Sequence, residues 1–177
     1  MPLASVPSFA AASPEIFLAV AAMALLLLGA FVRERDAALA TSYGGICVLI
    51  AAAALVVVLG GPSTSTFGGV FIFDNFAVFL KVLILVSAAA VILIARDYLT
   101  RQGIDRFEFP VLIVLASLGM SMMVSANDLI ALYLGLELQS LSLYVIAAFQ
   151  RDGMRSAEAG LKYFVLGALA SGLLLYG

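Results

Sequence analysis

The sequence has 177 residues, of which 64% are hydrophobic and 11% charged, with a formal net charge of −2. Soluble domains run at roughly 45–50% apolar; at a mean hydropathy of +1.18 this chain cannot hide its apolar surface in one soluble core. It is predicted to be all-α, a polytopic transmembrane helix bundle whose surroundings are the lipid bilayer and not nucleic acid. There is no histidine, which excludes bis-His haem and His-based zinc sites within the chain. The single cysteine, Cys47, excludes an internal iron–sulfur cluster or disulfide, and in its apolar run it reads as a buried small residue. No cofactor or metal is expected to be held by this chain alone.

Residues 1–13 carry no Lys or Arg, so they lack the basic start of a signal peptide and read as a lead into the first span. A span needs about 20 apolar residues. Six segments qualify: Pro14–Val32, Ala40–Gly60, Phe73–Ala95, Phe109–Ser125, Asp128–Phe149 and Ala157–Gly177. Pro14 and Glu15 suit a helix start, the proline in the first turn and the acid at the positive end of the dipole. Gly60, Gly61 and Pro62 end the second span, and the stretch from there to Val70 reads as a polar, Gly-rich loop. Asp74 and Asn75 open the third span, Pro110 sits where the fourth begins, and Asn127 with Asp128 caps the fifth.

Positive charge alternates with the spans. Arg33 and Arg35 follow the first, Arg96, Arg101 and Arg106 the third, and Arg151 and Arg155 the fifth. The loops after the second and fourth spans contain no Lys or Arg. The positive-inside rule therefore assigns the arginine side to the cytoplasm and the N-terminus to the outside. The last span ends without flanking polar residues, which predicts that the chain is the front part of a longer one.

Ionisable groups at membrane depth cost about 2.5–3.5 kcal/mol each on insertion scales and mark ion or proton paths by default. Glu137 lies about nine residues into the fifth span, roughly 13 Å deep at 1.5 Å per residue. Tyr133, Ser140 and Tyr144 share its helix face, which gives one polar stripe on an otherwise apolar helix. The bland alternative is a carboxylic acid hydrogen-bonded across a helix interface. Lys162 follows Glu158 by four residues, a spacing common in surface-helix ion pairs. It lies within snorkelling reach of the cytoplasmic interface, so it reads equally as an anchor and as a buried proton carrier. Depth counting sets it roughly 10 Å from the level of Glu137, too far for a direct ion pair without tilt. Lys81 lies two turns after Asp74 and reads first as a side chain snorkelling outward to that end, second as part of a proton path. Ser117, Ser121 and Ser125 form a small-residue stripe suited to close helix packing, and Gly160, Gly167 and Ser171 read the same way. Asp97, Asp105, Glu108 and Asp152 read as solvated loop charges.

The run NDLIALYLGLELQSLSLYVIAAF followed by LKYFVLGALASGLLLYG resembles the antiporter-like membrane subunits of the proton-pumping NADH:quinone oxidoreductase, respiratory complex I. The wording GLELQSLSLYV, with Gly-Leu before the Glu, and the segment DNFAVFLKVLILV are similar to its N-type subunits; residues 1–70 match mainly in hydropathy. The resemblance implies the first part of a fourteen-helix fold built on two inverted five-helix repeats, with helices one to three over residues 14–107 and the first repeat starting at residue 108. It implies that Glu137 occupies the position of a proton-site Glu on the fifth helix, paired in the family with a lysine on the seventh. Lys162 matches a lysine of the sixth helix and Lys81 a lysine seen in the N-type subunits, so the three are the expected proton-translocation residues. Partners implied are the other membrane-arm subunits, in a bacterial inner membrane, with quinone bound elsewhere in the complex. Two other readings stay open: a subunit of a multisubunit cation/proton antiporter, and a structural membrane-arm subunit in which the acid is merely buried.

Overall fold

The computed structural model describes residues 9–32, 34–61, 63–150 and 153–177. Arg33, Pro62, Arg151 and Asp152, the first eight residues, and the side chains of Glu34 and Arg35 lie outside the described part. Six α-helices account for most of the remainder: α1 (Ser13–Phe31), α2 (Glu34–Leu59), α3 (Asn75–Gln102), α4 (Glu108–Ser125), α5 (Leu129–Ala147) and α6 (Met154–Tyr176). All six are long and apolar enough to cross a membrane, so the expected number of spans is met. Their boundaries differ from the hydropathy reading at three places. α2 starts six residues before Ala40 and α6 three before Ala157, while α3 continues seven past Ala95. Arg96, Asp97 and Arg101 consequently ride on the last turns of α3 and not in a loop, and Glu108 opens α4. The reason is that a charged turn continues a helix wherever its residues are good helix formers, and hydropathy sees only the apolar part.

Local chemistry explains the ends. Asp74 caps α3 by accepting a hydrogen bond from the Ala77 amide at 2.7 Å, and Asp128 caps α5 by accepting from the Ile130 amide at 3.2 Å, as side-chain oxygens at N-caps do. α3 stops at Gly103, which takes the left-handed conformation at φ 68°. The amides of Gly103 and Ile104 there bond back to Thr100 and Leu99, closing the helix in the usual glycine-dependent way.

The bundle is all-α as expected, but the loop after α2 is not wholly irregular. Strands β1 (Thr64–Thr66) and β2 (Phe71–Phe73) pair antiparallel around a short turn of Phe67–Gly69. Alternation over three residues is too short to stand out in a sequence, and the pairing is completed from elsewhere. Phe71 bridges to Ala126, the Asn127 amide donates to the Val70 carbonyl, and the Asn127 side-chain amide donates to the Gly69 carbonyl, both at 2.8 Å. Asn127 therefore clips the hairpin to the α4–α5 turn, while Asp128 alone does the capping.

α4 is the central element, packed against α1, α2, α3 and α5, whereas α6 packs against α5. The core lies among the first four helices and is built from Leu18 and Ala22, Leu49 and Ala52, Leu85 and Ile92, and Val111 and Val114. Large apolar side chains elsewhere face outward, among them Val20, Val58, Ile94 and Leu166, as lipid-facing helix surfaces do. Cys47 is among the outward-facing residues, contrary to its expected burial, because α2 presents only one face to its neighbours.

The tightest helix contact is between α4 and α5. A Cβ on Gly119 would stand 2.6 Å from the Gln139 nitrogen and 2.7 Å from the Gly135 carbonyl oxygen, and one on Gly135 2.9 Å from the Gly119 oxygen. Both obstacles are backbone, so they cannot swing aside. Gly119→Ala is expected to cost about 1–3 kcal/mol of overpacking strain and to lower the thermal midpoint in detergent. Gly172→Ala, at a position with open space around it, is expected to leave that midpoint unchanged in the same measurement.

Candidate functional site

Glu137 sits mid-way along α5, half-buried, on the side opposite the Gly135–Gly119 contact because the two residues are about 200° apart on the helix. The carboxylate therefore turns away from α4 and meets α6. Ser171 donates a hydrogen bond to Glu137 Oε2 at 2.7 Å, and the hydroxyls of Tyr133 and Ser171 lie 3.1 Å apart in a second hydrogen bond. The result is a continuous polar file of Tyr133, Ser171 and Glu137 across the α5–α6 interface. Each hydroxyl has a donor and an acceptor function, so the file can hand a proton along by exchanging which group donates.

The sequence suggests a packing role for Ser171, but in the structure it is the central link of the file. Its role is invisible along one helix, since its partners lie 34 and 38 residues away. The expected stripe on α5 is otherwise present in altered form. Ser140 is half-buried on the same side, while Tyr144 is buried and packs edge-on against Tyr163 and Phe164 at centroid distances of 4.9 and 5.7 Å. Gly167 makes that packing possible, because a Cβ there would collide with the Tyr144 hydroxyl.

Lys162 is not brought to Glu137. Its ammonium pairs with Glu158 Oε1 at 2.5 Å, one turn earlier on α6, and the two side chains are 70% and 59% exposed. Ser171, the residue that reaches Glu137, is about nine positions further along the helix, or some 13 Å. Of the two readings of Lys162, the exposed ion pair describes this structure.

Lys81 departs most from expectation. Its side chain does not snorkel outward to Asp74; it is fully buried, and its ammonium lies 2.5 Å from Glu15 Oε1 on α1. The rings of Phe71 and Phe73, from β2, each have their centroid 4.9 Å from the ammonium, a cation–π distance. Glu15 is only 7% exposed and so is no simple dipole-facing acid at a helix start. A buried lysine needs a compensating charge, and α1 supplies one from 66 positions upstream, beyond the reach of any periodicity argument. Glu108 also differs from the solvated charge expected: it is half-buried at the mouth of an apolar cleft lined by Leu26, Leu112, Leu115 and Val145. Asp97 is exposed, as expected. Arg96 stacks on the Tyr43 ring at 4.5 Å.

A carboxylate on a hydroxyl file, in helices long and apolar enough to cross a membrane, is by default a candidate ion or proton site in a membrane protein, and comparison with known proteins narrows this. A family described as NADH:quinone oxidoreductase/Mrp antiporter, transmembrane, matches residues 126–177, the segment holding Tyr133, Glu137 and Ser171. Over 99% of its length the chain is 58% identical to NADH-quinone oxidoreductase subunit N of Parvibaculum lavamentivorans, covering 36% of that protein. It is 55% identical to the subunit N of Rhodobacter capsulatus over 96% of the chain and 35% of that protein. A chain of respiratory complex I from Thermus thermophilus with bound aureothin superposes with a TM-score of 0.76 at 31% identity, over 92% of this chain and 35% of that one. A chain of the membrane-bound sulfane sulfur reductase, an archaeal respiratory membrane complex, shares the fold at the same TM-score and 19% identity, over 96% of this chain and 36% of its own. The protein is a multi-pass membrane protein similar to the antiporter-like membrane subunits of NADH-quinone oxidoreductase, and it spans about a third of the length of the curated relatives it matches.

Ser171→Ala removes the link between Tyr133 and Glu137 while leaving the helix contact filled. The variant is expected to assemble normally and to shift the carboxyl band of Glu137 in infrared difference spectra, with Tyr133→Phe giving a smaller shift because it touches Glu137 only through the serine. An unchanged Glu137 band in Ser171→Ala would count against the file.

Proposed function

We propose that the protein works as a membrane-arm subunit of a proton-translocating NADH:quinone oxidoreductase and that Glu137 is its proton-holding residue. The observation that carries this is the carboxylate at mid-membrane depth, hydrogen-bonded to Ser171 and through it to Tyr133, inside the segment matched by the family. A carboxylate whose only duty was packing could be replaced by a glutamine without the risk of burying a charge. One held by hydroxyls on a file of exchangeable donors is suited to taking up and giving back a proton.

In this reading the arginine-bearing ends of the helices face the cytoplasm of a bacterium and the hairpin end faces outward. In this reading the flavin, iron–sulfur clusters and quinone belong to partners in the complex, which drive the proton step from outside this subunit. Lys162, paired with Glu158 towards the cytoplasmic end of α6, and Lys81, paired with Glu15 at the hairpin end, act in this reading as charges flanking the Glu137 file without touching it.

The name of the matched family covers cation/proton antiporters as well, and that is the second reading. Purification of the intact assembly decides between them by composition, since the antiporter reading requires no flavin or iron–sulfur arm. Glu137→Gln keeps the shape and removes the titrating group. In the whole complex it is expected to leave assembly intact and to lower proton pumping and coupled NADH:quinone turnover several-fold, measured together in vesicles. Unchanged pumping and turnover would assign the carboxylate to packing.

A further inference from the structure

The hairpin end of the bundle gathers a second set of buried polar groups that the Glu137 file does not use. Glu15 Oε2 has no hydrogen-bond partner among the described residues, and neither do the hydroxyls of Thr66, Ser121 and Ser125, all buried. Glu15 opens α1, Lys81 stands in the second turn of α3, and Ser121 and Ser125 occupy the last two turns of α4. Thr66 ends β1 beside Phe71. All five therefore lie at the same end of the bundle. Glu15 also lines a cleft of about 220 Å³ together with Ala12, Phe67, Phe71, Met122 and Ala126. Ala126 follows Ser125 directly.

Buried polar atoms without protein partners are satisfied by ordered water where a polar site has room for it; of the five groups Glu15 is the one that lines this cleft, whose other walls are apolar, and the cleft has room for several molecules. A lone carboxylate–ammonium pair with a spare carboxylate oxygen is the group in such a place that can change its protonation at low cost in charge. Passing the proton from the Lys81 ammonium to the Glu15 carboxylate converts two charges into a neutral amine and a neutral acid, and the sum stays zero. Glu15 then gives the proton to cleft water as Lys81 takes one up in the same exchange, so that neither group is left charged alone. Asp74, at the N-cap of α3, is the other carboxylate that acts on Lys81, and Phe71 and Phe73 face the ammonium from the hairpin.

We propose that Glu15 and Lys81, with Ser121 and Ser125, form a second, hydrated proton-holding site beneath the hairpin, reached by water through the cleft between α1, β2 and the α4–α5 turn. The site rests on the proton-translocation reading above but uses none of the residues of the Glu137 file. The rival is a dry ion pair that merely clasps the hairpin to α1 and α3.

Two measurements on the full-length protein in its complex separate these. In a Cys47→Ala background, Ser125→Cys is nearly isosteric and its thiol is buried in the fold. A small, charged, membrane-impermeant thiol reagent added from the hairpin side is expected to label it, because only a hydrated thiol reacts. Absence of labelling overturns the hydrated site. The neutral pair Glu15→Gln with Lys81→Gln then tests the proton role beside Glu137→Gln. Each single substitution strands one buried charge and is expected to impair assembly, whereas the pair is expected to assemble and to lose at least half of the protons pumped per NADH oxidised. Wild-type pumping by the neutral pair, with pumping reduced in Glu137→Gln, overturns the second site and leaves the translocation reading standing. Wild-type pumping in both overturns the translocation reading itself. If the neutral pair fails to assemble, the labelling result alone decides for or against the hydrated site.

Discussion

The contact on which the α5–α6 file depends is the backbone approach of α4 and α5 at Gly119 and Gly135. Two helices whose main chains come this close cannot rotate independently, because the atoms in contact have no rotamers to change. The face of α5 turned to α4 is fixed by that contact, and the opposite face, which carries Glu137, is fixed with it. α4 is in turn the helix that touches most of the others, so a carboxylate on the periphery of the bundle inherits its direction from the core. Small residues in this chain are thus tied to function through geometry, even where they touch no ionisable group.

The two polar clusters solve the problem of burying charge in different ways. At Glu137 the carboxylate accepts a hydrogen bond from one neutral hydroxyl, Ser171, which is itself bonded to Tyr133, and such bonds can be re-formed with either partner protonated. At Lys81 the compensation is a full opposite charge from Glu15, with two aromatic faces completing the shell. The first arrangement leaves the charge state of the carboxyl open to influence from outside; the second binds two charges to each other and makes either one expensive to lose alone. Lys162, paired with Glu158 on an exposed surface, is the third and loosest case.

Much of the fold was legible in the sequence because hydropathy over 20 residues is a strong signal and the arginines punctuate it. Glu137 was legible for the same reason, as a costly residue in an apolar run. What sequence reasoning missed are contacts between distant segments. By sequence spacing Lys81 points to Asp74, yet its ion-pair partner is Glu15; a helix-dipole role for Glu15 is a correct but incomplete account of an acid beside Pro14. Ser171 was read as packing because a serine on an apolar helix usually is. The orphaned ammonium was the available clue. A lysine buried among Phe, Leu and Val requires a carboxylate, and the chain offers few acids inside or next to its apolar segments.

The clip between Asn127 and the hairpin carries a consequence for how the chain is made. Gly69 and Asn127 are 58 residues apart, so strands β1 and β2 emerge from the ribosome well before the residue that secures them. Until α3, α4 and the turn to α5 have been synthesised and inserted, the carbonyls of Gly69 and Val70 have only solvent or lipid headgroups to bond. Non-local contacts of this span form late, and the hairpin is accordingly one of the last pieces to settle. Its closure draws β2 over Lys81 and so completes the enclosure of a charge that the earlier helices had already placed. The order of synthesis thus lets the charged pair meet before β2 closes over it from the hairpin side.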